Sequence, residues 1–148
     1  MKVSTRVEYG VLALTDIALH SENGSSVSAI EISKRQGISK KYLEQILPLL
    51  KQAGLIKAQK GLGGGYMLSC KATNIKMSDV LDALDNTILE DIDNVPADGQ
   101  RELARAVNEF LWEKLNGLLR SFTEGMSLFE FVQKCADRVA DGWDMYVI

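Results

Sequence analysis

The chain is poor in the residues on which most enzyme and metal chemistry depends. Its 148 residues include two cysteines, Cys70 and Cys135, two prolines and one histidine, His20. Two thiols so far apart in the sequence do not make a disulfide framework. A single histidine, with no Cys, Asp or Glu gathered at ligand spacing, offers no metal set, and no Ser/His/Asp arrangement is supported by the spacing. An enzyme is therefore not expected, and His20 reads as a polar or charged group at a helix C-terminus. No run approaches eighteen apolar residues, so no membrane-spanning helix is expected. The opening MKVSTRVEYG lacks the apolar centre of a signal peptide, and the expected location is the reducing cytoplasm.

What is present is ordinary in amount and uneven in place. Hydrophobic residues make up 46% and charged residues 25%, enough for a soluble domain with a real core. From Met1 to Lys76 there are eleven Lys or Arg and five Asp or Glu, a net charge of +6. From Met77 to Ile148 there are six and fifteen, a net charge of −9. The front half suits a polyanion and the back half would be repelled by one, unless the charges are merely clustered on a solvated surface.

Apolar residues Val7, Val11, Leu14 and Ala18 recur at helical steps and predict a helix over 5–20. Ser28 and Glu31 form a capping-box pattern for a short helix over 29–36, which Gly37 ends. Ser39 is placed to cap a helix over 40–53, ended by Gly54. Two helices joined by Gly37-Ile38-Ser39 have the spacing of a helix-turn-helix. The second has an apolar face of Leu43, Ile46, Leu47 and Leu50 and a polar face of Lys40, Lys41, Glu44 and Gln45. A helix that enters a DNA groove needs this division. Pro48 removes the N–H that would bond the carbonyl of Glu44, so a kink or loosened turn is expected there.

Next comes KGLGGGY, residues 60–66. A phosphate-binding P-loop places its lysine after the glycines and runs into a helix. Here the lysine comes first, and the flanking segments 55–60 and 66–69 read as strands. The glycines are the tip of a hairpin, and three helices followed by a hairpin make a winged helix-turn-helix.

The second half predicts a short helix over 79–84 capped by Ser78, an acidic loop over 86–99, and one long helix over 101–122. Leu103, Val107, Phe110, Leu111, Leu115, Leu118 and Phe122 line an apolar stripe on it. At about 33 Å that stripe is longer than a small domain covers easily. A second copy is the expected cover, and packing against the chain's own winged domain is the alternative. Ser127 and Glu130 open a last helix to about residue 139. The fold class is thus mainly α: a winged helix-turn-helix domain over 1–84, a connecting loop over 85–100, dimerisation helices over 101–139, and a tail over 140–148.

STRVEYG at 4–10, ISKKYLEQI at 38–46 and AGLIKAQKGLGGGYML at 53–68 resemble the Rrf2 family of bacterial transcription regulators. The resemblance is strong to about Leu84 and continues in helix order beyond it. It implies a homodimer on a palindromic double-stranded DNA operator, with the recognition helix in the major groove and the wing at the minor groove. Carried over by position, it assigns DNA contacts to Ser39, Lys40, Tyr42, Glu44 and Gln45, and to Lys60, Gly63, Gly64, Gly65 and Tyr66 of the wing. The chemistry agrees: Gln45 can pair with adenine, Glu44 can accept from cytosine, and Ser39, Lys40 and Tyr42 can hold phosphates. Tyr42 also reads as a half-buried helix residue.

The departure from the family pattern lies in the loop. Members that hold an iron–sulfur cluster carry three cysteines there, whereas NTILEDIDNVPADG carries none. No cluster, metal or other cofactor is therefore expected. Cys135 reads as a small buried residue of the last helix, with a redox role for its thiol as the alternative. The nearest type is then the cluster-free repressor of cysteine metabolism, whose tail also ends in isoleucine. That resemblance implies a complex with cysteine synthase through Tyr146, Val147 and Ile148, weakened by O-acetylserine. An extended tail can offer its carboxylate to backbone N–H groups and its side chain to an apolar pocket. A tail docked on the other subunit is the alternative. Two rivals stand beside this reading: a member of the same family with another signal, and a winged-helix interaction module that no longer binds DNA.

Overall fold

The computed structural model of the chain describes residues 2–61, 63–92 and 101–147, with side chains described to residue 142. The connecting loop therefore lies outside the described residues from 93 to 100, as does Ile148.

Helix α1 spans Thr5–His20 and is capped by Ser4, whose Oγ accepts from the N–H of Val7. Helix α2 spans Ala29–Gln36 with the full capping box: Ser28 N–H donates to Glu31 at 2.8 Å, and Glu31 N–H donates to Ser28 Oγ at 3.1 Å. Gly37 ends it in the left-handed region at φ 67°, a conformation any side chain would strain. Helix α3 spans Lys40–Gln52 and runs through Pro48 as a single element. Pro48 is exposed and does not end the helix.

Strands β1 (Ile56–Gln59) and β2 (Gly65–Leu68) pair antiparallel, with Ile56 opposite Leu68 and Gln59 opposite Gly65. The hairpin is not isolated. Val27 and Tyr66 exchange both backbone hydrogen bonds, at 2.8 and 2.7 Å, which adds a third short antiparallel contact just ahead of α2.

Helix α4 spans Met77–Leu84, two residues earlier than the sequence predicts. Ser78 is buried inside the first turn, and it is Lys76 whose N–H is received by Asp79 at 3.0 Å. Helix α5 (Glu102–Val107) continues through a π turn (Asn108–Trp112) into α6 (Glu113–Glu124), in the place of the single long helix expected. The N–H of Glu113 bonds the carbonyl of Asn108, one residue further back than in an α-helix. Helix α7 spans Leu128–Val147, so the expected tail over 140–148 is helical as far as Val147.

One apolar core joins these pieces. Leu14 and Ile17 of α1, Ile32 of α2, Leu43, Ile46 and Leu50 of α3, Ile56 of β1 and Val80 and Leu84 of α4 are all fully buried in it. Leu128 and Val132 of α7 belong to the same cluster. The start of α7 is stitched to the start of α4: Met77 N–H bonds Met126 O at 2.9 Å, and Leu128 N–H bonds Ile75 O at 2.7 Å. Among the described residues no helix is long and apolar enough to cross a membrane.

Candidate nucleic-acid interface

The turn between α2 and α3 is fixed at three points. Gly37 closes α2 by donating to Ser33 O at 2.9 Å, Ile38 is buried, and Ser39 Oγ accepts from the N–H of Tyr42 at 3.3 Å. Helix α3 then divides as its sequence predicts: Leu43, Ile46, Leu47 and Leu50 are buried, while Ser39, Lys40, Lys41, Glu44 and Gln45 are exposed. Tyr42 falls between these sets. Its ring is half-buried and meets Tyr9 of α1 edge to face, with centroids 5.2 Å apart and planes at 78°. Such a pair steadies the first turn of α3 against α1.

Upstream, Asp16 of α1 is a buried carboxylate with three donors. Arg35 supplies Nε at 3.0 Å and Nη2 at 2.8 Å, and Gln36 supplies Nε2 at 2.8 Å. Burial pushes the Asp16 carboxyl up, but the hydrogen bonds from Arg35 and Gln36 and the charges of Arg35 and His20 outweigh it. Its pKa lies below the ordinary carboxylate value, so it is charged. His20 Nδ1 lies 2.8 Å from the backbone oxygen of Asp16, consistent with its expected place at the end of α1.

The wing glycines have an internal explanation. Gly61 and Gly63 take positive φ, and Gly64 N–H closes the tip onto Gly61 O at 2.9 Å. A Cβ on Gly64 would lie 2.5 Å from Gln59 O, and one on Gly65 would lie 2.4 Å from Val27 O. Both obstacles are backbone, so neither can swing aside. Ser26 Oγ donates to Gly63 O at 2.6 Å, tying the tip to the segment ahead of α2. Tyr66 is half-buried, packed against the core between Ala58 and Val27. Lys60, at the base of the tip, is exposed.

This architecture and the sequence agree with one family. Residues 3–134 match the family described as Rrf2, iron-dependent transcriptional regulator. The chain belongs to the Rrf2 family. Among curated Rrf2-type relatives, the HTH-type transcriptional regulator IscR of Aliivibrio salmonicida is 37% identical over 146 residues, covering 93% of this chain and 84% of that protein. IscR of Cereibacter sphaeroides is 36% identical over 136 residues, with 90% and 88% covered. Among solved structures, CymR, the global cysteine regulator of B. subtilis, superposes with a TM-score of 0.77 at 25% identity, covering 90% of this chain and 98% of that one. IscR of T. potens superposes with a TM-score of 0.72 at 31% identity, with 91% and 88% covered. The Rrf2 chain is thus a winged helix-turn-helix transcriptional regulator rather than an enzyme, in keeping with the names of these relatives. They do not single out a branch: the two IscR proteins are nearer in sequence, and CymR superposes with the higher TM-score.

The family's description raises the question of iron. Cys70 is exposed just after β2, and Cys135 is half-buried in α7. The segment 85–101 between α4 and α5 contains no cysteine. Among the described residues no three His, Cys, Asp or Glu side chains gather as a metal set. This donor set does not fit a cluster held by cysteine thiolates.

The apolar stripe of the long helix stands open. Leu103 is 79% exposed, Phe110 72%, Leu118 68% and Phe122 64%, and Val107, Leu111 and Leu115 are each exposed as well. Packing against the chain's own winged domain therefore does not cover it. Tyr146 and Val147 lie in the last turn of α7.

Three features escaped the sequence reading. Lys57 is an exposed cation on β1, and only a strand register distinguishes it from a core-side residue. The Ser26 tie to the wing and the Asp16 cluster join residues 37, 19 and 20 positions apart, and no local pattern announces such pairs.

Proposed function

We propose that the chain is a homodimeric, cluster-free regulator that reads a palindromic operator with α3 in the major groove and the wing at the minor groove. One observation carries this reading. The exposed face of a capped, core-anchored α3 holds Ser39, Lys40, Glu44 and Gln45, and the hairpin that follows is tied back to the start of α2. Gln45 and Glu44 are the base-reading pair, while Ser39, Lys40 and the helix N-terminus hold phosphates. Tyr42 and Tyr66 act mainly through packing. Lys60 is the wing contact, and Gly63, Gly64 and Gly65 let the backbone turn sharply enough to bring it there.

Selection of bound sequences from random DNA defines the operator. Gln45→Ala should then cost about 1–3 kcal/mol on the operator and relax the preference at one position. Lys60→Ala should weaken all DNA and lower the salt slope by about one. Operator affinity and salt slope unchanged in both variants would remove the DNA reading and leave the interaction-module rival. Protein purified without oxygen should carry no iron, and a brown, iron-loaded preparation would overturn the cluster-free reading.

A second reading concerns the targets. The likeness to B. subtilis CymR over 98% of that chain, together with the cysteine-free loop, favours a repressor of cysteine or sulfur metabolism. Cysteine synthase would be its partner through Tyr146, Val147 and Ile148. Because α7 is helical to Val147, an extended docking mode requires its last turn to unwind. Deleting 146–148 should abolish binding to cysteine synthase and spare the dimer. Loss of the dimer instead would assign the tail to the other subunit.

A further inference from the structure

The buried cluster around Asp16 has no place in the DNA contacts described above, yet it meets the helix-turn-helix at a sensitive point. Arg35 and Gln36 are the last two residues of α2, and the turn into α3 begins at the next residue. Both donate to one carboxylate on α1 whose side chain is fully buried, while the Arg35 side chain is 35% exposed. A bidentate guanidinium and an amide on the same carboxylate fix direction as well as distance.

Burial alone does not require a carboxylate here, because well-packed apolar groups often stabilise a core as much as a buried ion pair does. What the ion pair adds is orientation. Ile38 anchors the middle of the turn and Ser39 caps α3, so the orientation of α3 depends on where α2 ends. Phosphate contacts tolerate a small change in that orientation, whereas bidentate contacts to base edges do not.

We propose that Asp16 is a positioning residue for operator recognition: through Arg35 and Gln36 it sets the angle at which α3 presents Glu44 and Gln45. The inference rests on the reading of α3 as the recognition helix. It predicts a selective loss. Asp16→Asn keeps the shape of the side chain but removes its charge and turns an amide donor toward Arg35.

The test compares the full-length protein and its variants on the selected operator and on a scrambled duplex of equal length, across a range of salt. Asp16→Asn should weaken operator binding about tenfold, the scale of one charge-assisted hydrogen bond. Scrambled-duplex affinity and the salt slope should stay within about twofold of wild type. Arg35→Lys, at a partly exposed position, should give a smaller loss of the same kind, and it decides the matter if Asp16→Asn does not fold. Equal losses on both duplexes would mean that the cluster only stabilises the fold, and no loss on either would mean that it positions nothing; either result overturns the proposal. If wild type itself does not distinguish the two duplexes, the DNA reading fails and this inference with it.

Discussion

Substituting Gly65 with alanine should separate two reasons for a glycine-rich wing. A glycine kept for an external contact can gain a methyl group without harm to the free protein, whereas a glycine kept for internal fit cannot. At Gly65 the added Cβ would lie 2.4 Å from the carbonyl oxygen of Val27, 2.5 Å from its carbonyl carbon and 2.8 Å from Ser28 N. Relief requires the segments to part, and the first bonds to give way are the two between Val27 and Tyr66. Their loss costs about 1–3 kcal/mol at roughly 0.5–1.5 kcal/mol each. The lower entropy of the unfolded alanine chain returns about 0.4–1 kcal/mol. A net destabilisation of about 1.3 kcal/mol remains at the middle of these ranges, or a fall in Tm of roughly 3–5 °C for a chain of this size. Urea and thermal unfolding at one fixed protein concentration measure it directly. Gly117→Ala is the control, because α6 leaves nothing within 4 Å of a Cβ there. It should stabilise by about 0.5–1 kcal/mol, the helix preference of alanine over glycine. If Gly65→Ala unfolds at or above the wild-type midpoint, close backbone approach is not why the wing needs that glycine.

Phe110→Asp or Leu118→Asp should convert a dimer to a monomer of 16.3 kDa in sedimentation equilibrium, while Ile30→Asp, at an exposed position on α2, should leave the dimer intact; a wild-type monomer would exclude the stripe as an interface. Stability should also depend on acid in a defined direction. The folded pKa of Asp16 lies below its unfolded value, so its contribution is full above the unfolded pKa and is lost as pH falls through the folded one. Urea titrations below about pH 4 should therefore show wild type losing an increment of stability that Asp16→Asn lacks, and parallel curves would mean that the carboxylate gains nothing from its donors.

Much of the first half was legible because its signals are local. Ser28 with Glu31, Gly37 and Ser39 fix helix ends within three or four residues, and the four apolar positions of α3 follow one period. The second half was less legible where the determinants are not local. The π turn over Asn108–Trp112 interrupts no hydrophobic pattern in the sequence. The start of α4 depends on backbone bonding between segments 75–77 and 126–128 rather than on Ser78. The last helix was expected to end near residue 139, and α7 continues through Gly142 to Val147. At the site, the exposed face of α3 was readable from period and resemblance together. The wing glycines were assigned to DNA, and their fit against Val27 and Gln59 needed coordinates to see.

The stitching of α7 to α4 bears on how the protein comes into being. A chain emerging from the ribosome presents the whole winged segment well before Leu128 and Val132, which complete its core. Contacts that span so much sequence form late and slowly. Until they form, apolar surface near the start of α4 is open to wrong partners. A fragment ending at Leu84 should therefore be a poor substitute for the regulator. Completion of the basic half's core thus waits on the acidic half, and it is Leu128 and Val132 of α7 that close it.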